Sequence, residues 1–390
     1  MGWNVPYRAL VRLPGVGPQA VFGFLSQLTQ QVAPVGMVLV VQAATGSLAL
    51  AGTCAAAFSV GAGAARPVQG RLIDRRGARA VLATTAFLHV AALIALVAGA
   101  AAGWPVWAYV VLAGVAGAGL PPISVSMRVE WGRRAADAGR TAVYSLVYLV
   151  QELAMLVGPL LFGLVIAVAS SSLALGVVAV ATGAGTLAFS RALRVGGAAP
   201  VREGGRVFGD RGMFVLLAVV FLLGGTIGAL QVGAPALAAA RDVPAAAGLL
   251  VAALSLGGIA GAAGYGARTW ASSPGARLVG LMLVLGVVLA PLAVAGSLPV
   301  FWMVLFAGGL VLNPALTTSS LLVDRFAPGA QGEAFGWLST AVGMGAAAGS
   351  GVAGVAGQRF GESAPFLVGA GSALLGALLA ALLLTRDRAR

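Results

Sequence analysis

Apolar runs of about twenty residues recur along the whole chain, parted by short polar stretches. Each run is close to the ~20 residues an α-helix needs to cross the hydrocarbon of a bilayer. Spans are predicted near 18–42, 46–69, 80–101, 104–127, 141–166, 172–191, 213–238, 245–266, 277–296, 299–321, 333–356 and 364–384. In lipid each backbone N–H and C=O must find its partner inside the protein, and for segments of this length the helix does that. The longest polar stretch, Arg191 to Arg211, is rich in Gly and Arg and has no apolar period. It predicts a linker at 192–212 dividing an N-terminal six-helix bundle, 1–191, from a C-terminal one, 213–390. The expected fold is an all-α membrane protein of twelve transmembrane helices in two bundles.

The two halves repeat weakly. Gln31-Val-Ala-Pro34 is echoed by Gln231-Val-Gly-Ala-Pro235, and Pro122-Ile-Ser124-Val-Ser126 by Pro314-Ala-Leu-Thr317-Thr318. Gly70-Arg71 has a degraded copy in Gly266-Ala-Arg268. Repeats of this kind make the bundles pseudo-symmetric and mark secondary transporters, with the solute site near the midplane.

Composition sharpens this picture. Charged residues are 9% of the chain and hydrophobic residues 59%, against roughly a quarter charged in a soluble domain. The net charge is +13, and all 24 basic residues are Arg. An anionic partner such as nucleic acid is one explanation. The distribution favours topology: 22 of the 24 fall on one side of the predicted spans, and only Arg241 and Arg359 on the other. Basic residues collect in cytoplasmic loops, so both termini are expected in the cytoplasm, in a plasma (inner) membrane, with no nucleic-acid partner. The first apolar run is too long for a cleaved signal and lacks a cleavage site, so it is read as a retained span. The single Cys54 allows no intrachain disulfide or thiolate cluster. The sequence offers no metal-ligand set, phosphate loop or nucleophile constellation, so neither an enzyme nor a cofactor is expected.

The densest charge cluster lies between the second and third spans and reads Gly70-x-x-x-Asp74-Arg75-x-Gly77-x-Arg79. Topology accounts for its Arg residues and helix capping for Asp74, but neither accounts for both glycines at these spacings. The pattern resembles the signature loop of the major facilitator superfamily. That resemblance implies a gate built from Gly70, Asp74, Arg75, Gly77 and Arg79. Asp74 would meet Arg128 or Arg140 and approach the start of the eleventh helix near Gly332. A carboxylate at a helix N-terminus gains ~0.3–1 kcal/mol from the macrodipole, favouring the state closed to the cytoplasm. The resemblance further implies a monomer whose first, fourth, seventh and tenth helices line the path. Gly158-Pro159-x-x-x-Gly163 resembles part of the fifth-helix motif of drug/proton antiporters. One departure stands out: Ala113 occupies the place in the fourth helix where such antiporters often carry Arg.

Glu152 falls half-way along the fifth span and is the one acid placed at that depth. A charge there costs ~2.5–3.5 kcal/mol on insertion scales and normally faces an interior or a cavity. Burial favours a neutral carboxyl, which suits a proton carrier; the alternative is a Glu that only ties helices together. Helical spacing sets the candidate solute face: Gln27, Gln30, Gln31 and Pro34 on the first span, and Tyr144, Tyr148 and Gln151 beside Glu152 on the fifth. Gln231 with Pro235 on the seventh, Asn313 with Thr317 on the tenth, and Trp337, Thr340 and Met344 on the eleventh extend it. Any one amide could instead be interhelical glue. A pocket of amides, aromatics and a thioether with one carboxyl suits a moderately apolar, neutral or cationic solute. His89, the only histidine, is read as a structural or lipid-interface residue. The expected function is proton-coupled export of a small amphipathic solute, a drug or secondary metabolite, by alternating access. Sugar or amino-acid transport on the same fold, or a non-transporting sensor or scaffold, are the alternatives.

Overall fold

The computed structural model describes residues 10, 15–135, 137–193, 206–243, 246–294 and 297–387. Among them, twelve helices are long and apolar enough to cross a membrane, and no strand forms. They run Val16–Thr45, Leu48–Arg76, Ala78–Ala102, Val106–Arg134, Gly139–Val168, Ser171–Ala192, Arg211–Ala240, Ala246–Gly266, Pro274–Ala293, Leu298–Phe326, Gln331–Phe360 and Ala364–Ala381. They are called the first to twelfth spans in that order.

Most spans extend past the predicted ends. The second continues as helix through the charged motif to Arg76, so Asp74 and Arg75 ride on a helix rather than a loop. The turn into the third span is Gly77 alone, at φ 80° and ψ 156°. A side chain is strained at that positive φ, which gives the second motif glycine its reason.

The fourth span departs furthest from the prediction. It is two helices, Val106–Ala118 and Ile123–Arg134, separated by Gly119-Leu120-Pro121-Pro122. Two successive prolines remove two N–H donors, and each biases the residue before it away from helical geometry. Single prolines do not have this effect here: Pro34, Pro159, Pro235 and Pro314 all sit inside continuous helices. The tenth span, which repeats the fourth in sequence, therefore stays whole.

The spans collect into two compact units. One contains the first four spans, the fifth from Val150 onward and the sixth; the other joins Ala135–Leu149 to the seventh through twelfth spans. In the second of these units the opening of the fifth span packs with the later spans. Most of the linker predicted at 192–212, residues 194–205, lies outside the described residues. In the first unit, hydrogen bonds Ser26–Thr186 and Thr29–Thr182 join the first span to the sixth. In the second, the seventh and eleventh spans cross with Gly345 against the Phe221 backbone and Gly349 against that of Gly225. Lipid supplies little hydrophobic drive between helices, so small residues that admit close backbone approach hold such crossings.

Candidate functional site

The charged motif is anchored at both ends. The Asp74 side chain, 7% exposed, lies 4.0 Å from Arg133 Nη2. Of the two partners proposed from resemblance, Arg128 donates to Gln151 and Arg140 faces Asp324. Arg79 donates from Nε to Ser190 O at 3.1 Å and from Nη2 to Leu193 O at 3.2 Å. It thereby satisfies carbonyls left open at the end of the sixth span. Gly70 is buried, while Arg75 is exposed.

The break in the fourth span frees carbonyls inside the protein, and each must find a donor. The third span supplies His89, whose Nδ1 lies 2.7 Å from Ala116 O. The second supplies Gln69, donating from Nε2 to Ala118 O (2.8 Å) and Leu120 O (3.2 Å). It also supplies Arg66, whose Nη1 reaches Leu120 O at 3.4 Å and Pro121 O at 3.2 Å. His89 is fully buried, which removes the lipid-interface reading. Arg66 is 7% exposed. The sequence counted it among topology charges; the clue available there was a Gly-Leu-Pro-Pro break with carbonyls to satisfy.

In the same unit Arg128 is buried and donates from Nη2 to Gln151 Oε1 at 3.2 Å. Gln151 and Glu152 are half-buried, and one Glu152 carboxylate oxygen is fully enclosed. On the first span Gln27 is buried and donates back to Gly23 O at 3.1 Å. Gln30 and Pro34 are half-buried, and the side chain of Gln31 lies outside the described residues.

The second unit holds a polar seam. Asn313, Thr317, Ser320 and Asp324 recur at i, i+4, i+7 and i+11 on the tenth span, and the first three are buried. Tyr144 Oη donates to Asp324 Oδ2 at 2.6 Å, and Arg140 Nη1 approaches the same oxygen at 3.5 Å. Gln331 Nε2 donates to Oδ1 at 2.7 Å. One turn on, Tyr148 Oη and Ser320 Oγ lie 3.2 Å apart, and Ser145 Oγ lies 3.5 Å from Thr317. The fifth-span face predicted as one lining is therefore divided: Tyr144 and Tyr148 are buried in this seam, while Gln151 and Glu152 belong with the other unit. Asp324 went unnoticed in the sequence, although its register with Asn313 and Thr317 was legible.

Gln231 and Pro235 are exposed. Trp337, Thr340 and Met344 do come together, but with Leu217, Phe221 and Leu375, in an apolar cavity of about 480 Å³ lined by the seventh, eleventh and twelfth spans. Met344, at 60% exposure, stands at its open side.

Twelve spanning helices, a charged turn anchored at both ends and ionisable groups enclosed among the spans define the class: a multi-pass membrane transporter. The chain belongs to the Major Facilitator Superfamily, whose family model matches residues 20–330. It is thus a secondary transporter rather than an enzyme. Comparison with curated proteins finds no match. Among solved structures it is similar to the human organic anion transporter MFSD10 (TETRAN), at 18% identity and TM-score 0.72, covering 96% of this chain and 99% of that one. A bacterial homologue of the iron transporter ferroportin in its outward-facing state matches at 16% identity, TM-score 0.72 and the same coverage, 96% and 99%. The transporter FucP in its outward conformation matches at 13% identity and TM-score 0.71, again over 96% and 99%. Likeness at these identities carries the fold.

Proposed function

We propose that this transporter exports a small amphipathic solute of the drug or secondary-metabolite kind in exchange for protons, by alternating access between the halves 1–191 and 213–390. Glu152 carries the proton. The observation that supports this most is the enclosure of a carboxylate oxygen of Glu152 at mid-span, one residue from the Gln151 that receives Arg128. A buried acid that can be neutral facing one side and ionised facing the other couples two movements. The Gly158-Pro159-x-x-x-Gly163 run on the same helix is the further likeness to drug/proton antiporters.

Asp74 with Arg133, Arg75 and Arg79 gates the cytoplasmic end, and Gly70 and Gly77 set the helix and turn that carry them. The protein acts as a monomer in the plasma membrane with both termini in the cytoplasm. One structural neighbour is an organic anion transporter and another an iron transporter homologue, so likeness leaves the solute to be read from this chain's residues.

The test is solute flux. Candidate compounds are screened in everted vesicles by reversal of acidification, and the best is taken into proteoliposomes. Glu152→Gln is expected to abolish pH-driven uptake while sparing solute exchange. Undiminished pH-driven uptake in that variant removes Glu152 from the coupling.

A further inference from the structure

The break in the fourth span encloses a charge, Arg66, that no described carboxylate neutralises. Arg66 spends Nη1 on two neutral carbonyls, and neither Nε nor Nη2 bonds any described residue. No described carboxylate pairs with it; in its unit Asp74 faces Arg133 and Glu130 faces Arg134 at 3.5 Å. A second buried cation, Arg128, lies close enough to repel it. A guanidinium cannot escape by losing its proton. Burying an ion costs several kcal/mol that carbonyl contacts offset only in part. The half-helix Ile123–Arg134 starts at the same break and turns its positive end toward it. The opposing carbonyls of Val106–Ala118 are already taken by His89 and Gln69.

We infer that this break is an anion subsite of the transport site, where Arg66 and Arg128 take a carboxylate, sulfonate or phosphate group of the solute. The solute is then an organic anion, not the neutral or cationic compound the amide and aromatic residues suggested. This rests on the transport reading above and names the substrate class for it. Arg66 keeps two fork-like donors of the geometry that suits an oxyanion. Arg128, held by Gln151 beside Glu152, links occupancy of the subsite to the proposed proton carrier. Discontinuous helices whose half-helix ends point at a charged group are a known device for binding ions in transporters.

The probes are two dyes sharing a xanthene ring, carboxyfluorescein (anionic) and rhodamine 123 (cationic), bound at equilibrium to the purified full chain and read by fluorescence polarisation. Native protein is expected to bind carboxyfluorescein the more tightly. Arg66→Gln keeps an amide that can still donate to Leu120 O but removes the charge. It should weaken carboxyfluorescein about thirtyfold and leave rhodamine 123 unchanged, whereas Arg66→Lys should keep most of the preference. If Arg66→Gln binds carboxyfluorescein as native protein does, Arg66 is only a cap for the broken helix and the inference fails. It fails equally if native protein prefers rhodamine 123, or binds neither dye, or binds chloride at this site but not carboxyfluorescein. Because equilibrium binding needs no proton gradient, Glu152→Gln should retain the anion preference. Loss of proton coupling and loss of the anion subsite are therefore separate results.

Discussion

At the scale of single residues, enclosed hydrogen bonds to charged groups carry the sharpest consequences. Tyr144 donates to the Asp324 carboxylate at 2.6 Å inside a packed seam. Tyr144→Phe deletes that donor and should cost about 1.5–3 kcal/mol, the range for bonds to charged groups. A lowered apparent Tm in detergent checks it; an unchanged Tm would mean that Gln331 and Arg140 satisfy Asp324 unaided. Asp324→Asn keeps an acceptor for Tyr144 but takes the charge from Arg140, so its Tm should also fall. Trp131, fully buried, donates its indole N–H to Gln19 Oε1 at 2.6 Å. Trp131→Phe leaves that oxygen without its donor and is expected to cost about 1–3 kcal/mol, read in the same unfolding assay.

At the scale of elements, the fourth and tenth spans show what local sequence decides. Pro121 and Pro122 together break the fourth span, whereas Pro314 alone leaves the tenth continuous. Replacing both by alanine returns two N–H donors and should let the span close into one helix. The carbonyls of Leu120 and Pro121 would then turn back into the helix and away from Arg66. Backbone protection from hydrogen exchange across 119–124 should rise; unchanged exchange would show that Arg66 and Gln69 hold the break open by themselves. Glycine crossings are the other device at this scale. A Cβ on Gly345 would collide with the backbone oxygen of Phe221, so Gly345→Val should separate the seventh and eleventh spans and lower the yield of monodisperse protein on size exclusion.

For the whole molecule, the side that each loop faces is the testable quantity. A fluorescent protein fused after Arg390 should fold and fluoresce. Alkaline phosphatase should be active when fused near Arg241 and inactive when fused at Gly77. The reverse pattern would overturn the orientation assigned from the Arg distribution.

Twelve spans and the charged turn were legible in the chain because lipid permits few solutions: a run of about twenty apolar residues closes its backbone bonds as a helix whatever its neighbours do. Family membership followed from the spacing of Gly70, Asp74, Gly77 and Arg79, which is local. What surrounds each polar side chain was not legible, because a helical period says which residues share a face and not what that face meets. Tyr144, Tyr148, Gln151 and Glu152 share one period, yet packing gives the tyrosines to Asp324 and Ser320 and leaves the other two with Arg128. Trp337, Thr340 and Met344 also share a face, and packing turns it to an apolar cavity. Arg66 shows the same division. Its charge is written in the sequence, but its burial against Leu120 and Pro121 depends on a second helix arriving at the point where the fourth one opens.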